Sequence, residues 1–386
     1  MVSTWKQKPL LECVDLLQGL TYSPTNVKNH GLLVLRSSNI KNGALSFKDC
    51  VFVDCTIDET KYVRPADILI CVRNGSSTLI GKSCVIDQPY NATFGAFMSI
   101  LRGDTTGYIA HIFTSEIVQS QIRNRSNATI NQITKRDFES IIIPIPEDEA
   151  EQRRIAVALS DMDSYIAALE KLIAKKHAVK QGTMQELLTG KWRLSGFSGE
   201  WVDKPLEKVA LDIRTGKKNN EDKTANGRYP FYVRSQQVET IDSYSYDGEA
   251  IIVPGEGNIG DIFHYIVGKF DFHQRVYKVS DFAPDYDGKY VYYQMRMAFG
   301  KHALKNTSKA TVDSLRLPAF KEFIVNLPPT KAEQTAIAEV ITDMDAEIDV
   351  MVIKLNKARQ LKQGMMYELL TGNIRLIEEG NENGEN

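Results

Sequence analysis

The chain has 386 residues, 42% of them hydrophobic and 25% charged, with a formal net charge of −2. That length exceeds one comfortable core, so two or more domains are expected. The composition excludes a disordered chain, and the charge offers no chain-wide attraction for nucleic acid or a membrane surface.

The charge is unevenly spread. Residues 1–145 hold 15 basic against 12 acidic side chains, residues 201–325 hold 18 against 17, and residues 326–386 hold 6 against 11. Base therefore sits in two blocks and acid at the end of the chain. The N-terminus MVSTWKQKPLLE has no apolar signal core, and no window approaches 18 uninterrupted apolar residues. A cytoplasmic protein without membrane contact is expected. Cys13, Cys50, Cys55, Cys71 and Cys84 form no C-x-x-C pair, which predicts reduced thiols and neither a zinc ribbon nor a disulfide framework.

In chain order, the first predicted unit is a block over 1–145, rich in Gly, Asn, Ser, Tyr and Phe, with β-prone runs such as GLLVLRS and ADILICV between turn residues. A helical region follows over 146–200. A second block, 201–325, has the texture of the first, with runs such as EAIIVPG and HYIVGKF. A second helical region covers 326–378, and 379–386 reads as a flexible acidic tail.

The helical regions repeat one another. Residues 152–194 and 334–376 are identical at roughly four positions in ten without a gap, sharing DMD, KQG and ELLTG. Ile155, Leu159, Met162, Ile166, Leu169 and Ile173 fall at alternating steps of four and three. Ile337, Ile341, Met344, Ile348, Met351 and Leu355 do the same. Each set is the apolar seam of a long helix. Asp148-x-x-Glu151 and Thr330-x-x-Glu333 read as capping boxes at the starts, and Gly190 and Gly372 mark the stops. Gly182 and Gly364 would weaken the helices near their ends. Each seam could pack on its own block or on a second copy. Because the two match in length and phase, pairing with each other as an antiparallel coil is favoured, with a block at each end and a pseudo-twofold axis.

The blocks share openings (Trp5, Lys8, Pro9, Leu10 and Trp201, Lys204, Pro205, Leu206) and closings (Thr129, Ile133, Phe138 and Thr311, Leu315, Phe320), but their interiors diverge. The expected fold class is α+β: two mixed globular domains separated by two long helices.

Enzymatic patterns are missing. GEGNIG at 255–260 fits G-x-G-x-x-G but is followed by another β-prone run, so it reads as a glycine turn between strands, with RNGSSTLIG at 73–81 as its looser counterpart. There is no G-x-x-x-x-G-K-[ST], HExxH or G-x-S-x-G, and the only PP sits in NLPPTKAE. The histidines His30, His111, His177, His264, His273 and His302 have no ligand spacing, so no metal site is expected. Asp161, Asp163, Asp343 and Asp345 read as partner contacts or a solvated face.

Polar, basic loops remain. Arg, Lys, Asn and Gln can read base edges, while Ser, Thr and Lys can hold phosphates. The candidate DNA contacts are Arg36, Ser38, Asn39, Arg73, Asn74, Arg123, Arg125 and Asn127 in the first block. In the second they are Lys217, Lys218, Asn219, Arg234, Gln236, Gln237, Gln274, Arg275, Lys301, Lys305 and Asn306.

The order block–helix–block–helix, the helix start I-P-x-P-x-x-x-x-E-Q-x-x-I-A, the string QELLTGKWRLSGFSGEW (185–201) and the block entry W-x-x-K-P-L resemble the specificity subunit of type I restriction–modification systems over essentially the whole chain. The second ending, ELLTGNIRLIEEG, lacks GFSGEW, as expected where no third block follows. The resemblance implies a non-catalytic subunit whose two target recognition domains each read half of a split, asymmetric sequence in double-stranded DNA. It implies an antiparallel coil that spaces them and docks two modification (methyltransferase) subunits, with restriction (motor-nuclease) subunits added. It places S-adenosylmethionine, ATP and Mg on those partners and no cofactor in this chain. Three other readings stay open: the specificity component of a stand-alone methyltransferase system, a coiled-coil scaffold with no DNA role, and a nicotinamide-binding enzyme using GEGNIG.

Overall fold

The computed structural model describes residues 4–126, 131–257, 260–305 and 314–376. The candidates Asn127 and Asn306, the closing residues Thr129 and Thr311, and the acidic tail lie outside them. Two compact units divide the chain: Met1–Leu169 with Lys354–Asn386, and Glu170–Ile353. Each unit takes part of both long helices, because each part packs against a block.

The first unit is built on short strands. Its opening strand, Trp5–Pro9, pairs antiparallel with its closing strand, Ile142–Pro146, in the register Trp5 to Pro146. Inside that clasp lie two four-stranded sheets. One runs in the order Ala92–Phe94, Leu32–Leu35, Val51–Val53, Val27–Lys28. The other runs Asp15–Gln18, Met98–Arg102, Ile68–Cys71, Ser83–Val85. Leu32–Leu35 and Ile68–Cys71 are buried at every position, as their unbroken apolar runs require of central strands. The five cysteines are free, and burial pushes the Cys84 thiol up to about 12.

The second unit has the same clasp, Val202–Pro205 against Ile324–Leu327, around a different interior. A six-stranded sheet runs Ala210–Thr215, Val276–Phe282, Tyr246–Pro254, His264–Phe272, Tyr229–Tyr232, Glu239–Ile241. GEGNIG falls between Tyr246–Pro254 and His264–Phe272, which pair antiparallel, and no helix follows it. Within it, Asn258 and Ile259 lie outside the described residues. RNGSSTLIG likewise joins the antiparallel strands Ile68–Cys71 and Ser83–Val85.

The closing strands run into the long helices, Glu149–Leu187 and Lys331–Leu370, which continue through Gly182 and Gly364. In the first unit Glu151 meets Arg375 and, further along the first helix, Asp163 meets Lys362 further back along the second. In the second unit Lys176 meets Glu347 at 2.6 Å, Lys180 meets Asp345, and Arg193 meets Glu333. Numbers rise on one helix as they fall on the other, so the helices pair antiparallel in each unit. The 182-residue shift that relates the repeats turns Glu151 and Asp163 into Glu333 and Asp345, and Lys180 and Arg193 into Lys362 and Arg375. Both units therefore contain one contact set with the contributions of the two repeats exchanged, which is the rule of a self-complementary interface. Asp163 and Asp345, expected on a solvated or partner-facing surface, are helix-to-helix ion pairs because a lysine recurs opposite each.

The seam residues face inward. In the first unit Ile155, Leu159, Leu169 and Leu355 are buried, and Met162 and Ile166 are half-buried. In the second Ile337, Ile341 and Ile348 are buried, and Ile173, Met344 and Met351 are half-buried. The seam is not purely helix against helix, however. Ile155 and Leu159 share a core with Tyr108, Ile112, Phe138, Leu369 and Leu370, and Ile337 and Ile341 share one with Tyr290, Phe320, Leu187 and Leu188. The first turns of each helix emerge directly from the clasp, so they cannot avoid the block beneath them.

The expected capping boxes are only half present. Asp148 accepts the Ala150 N–H at 2.9 Å, and Thr330 accepts the Glu333 N–H at 3.3 Å. Glu151 and Glu333, however, turn away from the caps. Both are fully buried, and each takes two hydrogen bonds from one guanidinium, at 2.6 and 2.7 Å from Arg375 and at 2.9 and 2.6 Å from Arg193. A carboxylate stripped of water gains more from a bidentate arginine than from one neutral N–H.

At the helix stops, Gly190 and Gly372 have φ of +69° and +77°. The N–H groups of Trp192 and Ile374 fold back onto the carbonyls of Glu186 and Glu368. A tryptophan lies against each glycine: a Cβ there would sit 3.3 Å from the Trp201 ring or 3.0 Å from the Trp5 ring.

Candidate nucleic-acid interface

With the frame repeated, the sites that differ lie in the block interiors. In the first block the strand Leu32–Leu35 ends at a one-turn helix, Ser37–Asn39. Asn39, a candidate base contact, is fully buried and shapes this turn. Its Oδ1 accepts the Arg36 N–H at 2.9 Å, and its Nδ2 donates to the Ser46 and Asp49 carbonyls, both at 2.9 Å. With no exposure and a spent amide it cannot reach a base, so that expectation is corrected: Asn39 is a positioning residue.

The turn carries Arg36 and Ser38 to the wall of a cavity of about 480 Å³, lined also by Leu20, Tyr22, Phe97 and Met98. Arg36 donates through one terminal nitrogen to Asp49 at 2.8 Å, but its Nε and the Ser38 Oγ are buried without a hydrogen-bond partner among the described residues. Arg73 and Asn74 adjoin. The Arg73 guanidinium lies 5.2 Å over the Phe97 ring, and Asn74 donates to Ser37 Oγ at 3.1 Å. The polar stretch 131–133 runs beside them, through an Arg73–Gln132 bridge and bonds from Asn74 N–H to Asn131 O and from Ile133 N–H to Val72 O.

Arg123 and Arg125 are placed otherwise. Both stand on the helix Glu116–Ser126, where Arg123 pairs with Glu116. Arg125 donates to the Gln121 and Ser140 carbonyls and to Ser140 Oγ at 2.8–2.9 Å. It ties that helix to the segment before the closing strand.

In the second block Arg234 and Arg275 converge on Glu256, the first with an N–O separation of 3.3 Å. Lys218 bridges to His273, and Gln274 N–H donates to the Lys218 carbonyl at 2.8 Å. Burial, then Arg234 and Arg275, hold the His273 ring below its ordinary pKa. So the fold brings Arg234 and Arg275 onto one carboxylate, with Lys218 and Gln274 tied through their backbones to the adjoining His273 segment. Lys217, Asn219, Gln236 and Gln237 are exposed on adjoining loops. Lys301 and Lys305 are exposed at the end of the helix Gly288–Lys305, whose Gly300 abuts Gly260 of the glycine turn. Among the described residues no group of three or more His, Cys, Asp or Glu side chains could hold a metal.

Phe97, Tyr22 and Asp49 in the first block and Glu256 and His273 in the second were missed from sequence. An aromatic or acidic residue in a loop carries no signal of what it faces, although GEG at a strand-to-strand turn marked the place of Glu256.

Comparison with known proteins now decides the family. The family described as "Type I restriction modification DNA specificity domain" matches residues 3–181 and 199–360. The chain belongs to that family. Its double match coincides with the two repeats. Among members of the family, the EcoKI specificity subunit of Escherichia coli K12 is 27% identical over 96% of this chain and 89% of its own length. The StySPI specificity subunit of Salmonella potsdam is 25% identical over the same shares. The crystal structure of the type I restriction–modification S subunit from M. genitalium shares the fold, with a TM-score of 0.67 at 15% identity over 96% of both chains.

Proposed function

We propose that this chain is the DNA sequence-specificity subunit of a type I restriction–modification enzyme and performs no chemistry itself. Each block reads one half of a divided, asymmetric target. The paired helices space the half-sites and present equivalent surfaces to two modification subunits. The observation that carries this reading is the exchanged contact set: a duplicated frame with matched ion pairs holds two unlike interiors. Identical partners call for identical docking surfaces, and a split target calls for two different readers. S-adenosylmethionine, ATP and Mg would belong to the modification and restriction subunits. The modest positive charge of the blocks suffices if those partners supply much of the phosphate contact.

Methylome sequencing of a host carrying this system tests the proposal. A methylated adenine in each half of a bipartite site is expected. Inserting about four residues into either long helix should lengthen the unread gap and leave the bases unchanged. New bases at the old gap would contradict it.

A further inference from the structure

We propose that Arg234 and Arg275 of the second block are a guanine-reading pair aimed by Glu256, an assignment that rests on the DNA-specificity reading above. Three chain segments meet here through their backbones. The Gly255 N–H donates to the Arg275 carbonyl and the His273 N–H to the Tyr232 carbonyl, both at 2.9 Å, while His273 Nδ1 accepts the Arg275 N–H at 3.0 Å. Both arginines therefore leave from segments that are tied together.

The Glu256 side chain is only 16% exposed, and each of its oxygens takes one arginine: Oε1 takes Arg275, and Oε2 takes Arg234 at 3.3 Å. Both arginines use Nη1 for this, and the Nε and Nη2 of each have no partner among the described residues. Those two nitrogens form one edge of a guanidinium, a planar fork of two donors. The side chains that carry the forks are 45% and 56% exposed. Glu256 thus holds each arginine by one nitrogen and leaves a two-donor edge unspent.

A two-donor fork matches a base edge with two adjacent acceptors. In the major groove guanine alone presents one, O6 beside N7. Thymine has a single acceptor there, and adenine and cytosine set an amino donor against the fork. A phosphate could also accept from these nitrogens, but the Glu256 charge offsets one of the two positive charges and repels an incoming anion, whereas a neutral base meets no such repulsion. Holding both forks in advance also lowers the cost of ordering them on binding.

The test uses the full chain assembled with its modification subunits and a pool of duplexes carrying a randomised stretch, with the bound DNA sequenced. The wild type should select guanine at two positions of one half-site. Arg234→Ala and Arg275→Ala should each flatten one of these preferences, from roughly 5–150-fold to near unity, leaving the gap and the other half-site intact as the control of folding. Glu256→Gln should weaken both preferences together while affinity for unrelated duplex holds or rises, because the aim is lost along with a negative charge; a folding defect would lower both. Replacing a selected guanine by its deaza analogue, which lacks the N7 acceptor, should weaken the wild type and leave the variant insensitive at that position unaffected.

Arginine variants that bind every sequence more weakly by the same factor, with a shallower salt dependence, would make these residues phosphate contacts and overturn the inference. Unchanged selection, or a responsive position that prefers another base, would overturn it too, and each of these outcomes leaves the specificity reading intact. Absence of any wild-type consensus defeats that reading and this assignment with it.

Discussion

Glu151 and Glu333 show how one side chain reports on the whole arrangement. Each lies in the first turn of a long helix, is fully buried, and is held by an arginine from just beyond the end of the other helix. The hydrogen bonds to these carboxylates raise the pKa of Arg193 and Arg375. Replacing Arg375 by Ala strips Glu151 of that guanidinium and should cost about 3 kcal/mol, read as a lower midpoint in denaturant melts. Arg375→Lys should restore only part of it, because an ammonium cannot bond both oxygens in the plane of the carboxylate. His111 allows a second prediction. Its Nε2 lies 3.0 Å from Ser160 Oγ, and burial lowers its pKa from 6.5 against the pull of Asp163 and Asp104, with Lys362 adding to the lowering. The unfolded ring binds its proton more tightly than the folded one. Its contribution to stability is therefore complete above about pH 6.5 and drains away as the pH falls below that value. His264 and His273, also lowered, act in the same sense. Melts at pH 7.5 and 5.5 should show a smaller acid loss for His111→Gln than for the wild type; an equal loss would remove His111 from the account. Sequence told part of this story. It marked Glu151 and Glu333 by their place in a capping pattern, but their real partners lie more than a hundred residues away, and no local pattern encodes that distance.

Long helices were the most legible elements, because a heptad seam needs only local order. The observed spans, Glu149–Leu187 and Lys331–Leu370, follow from the capping signals and the glycine stops. Strand order was not legible: Ala92–Phe94 pairs parallel with Leu32–Leu35 across the intervening chain, and Trp5–Pro9 pairs with Ile142–Pro146. Such pairings follow from which faces must be buried together, and this cannot be read one segment at a time. The candidate reading residues were legible as loops with the right chemistry. The fold then sorted them, burying Asn39 as a fastener, bonding Arg125 to Ser140 and leaving Arg234 and Arg275 clustered on Glu256. At the helix stops, the positive φ of Gly372 and the Trp5 ring against it make a specific demand. Gly372→Ala should cost about 1–2 kcal/mol for the left-handed backbone, plus whatever the ring loses by moving. Gly190→Ala should behave alike against Trp201, since a common joint predicts a common penalty. Calorimetry of the two variants makes the comparison.

For the molecule as a whole, the division into units matters most. The second unit is one continuous stretch, Glu170–Ile353, whereas the first joins Met1–Leu169 to Lys354–Asn386. In the first unit the ring of Trp5 rests on Gly372, and Arg154 donates to the Leu376 carbonyl. The core around Tyr108 and Phe138 includes Leu369 and Leu370. A chain ending at Ile353 should therefore keep a protease-resistant second block while its first block is cut readily, and limited proteolysis with mass mapping would show the difference. Equal resistance of both blocks would mean that the late segment adds little.

The joined-up first unit also sets a timetable. As the polypeptide leaves the ribosome, the first block must wait with an uncovered apolar face until the end of the second long helix has been made. The block translated second has all its own parts in hand sooner. Assembly of this protein thus runs against the order of its synthesis, and its earliest-made half is the one most exposed to chaperones and proteases.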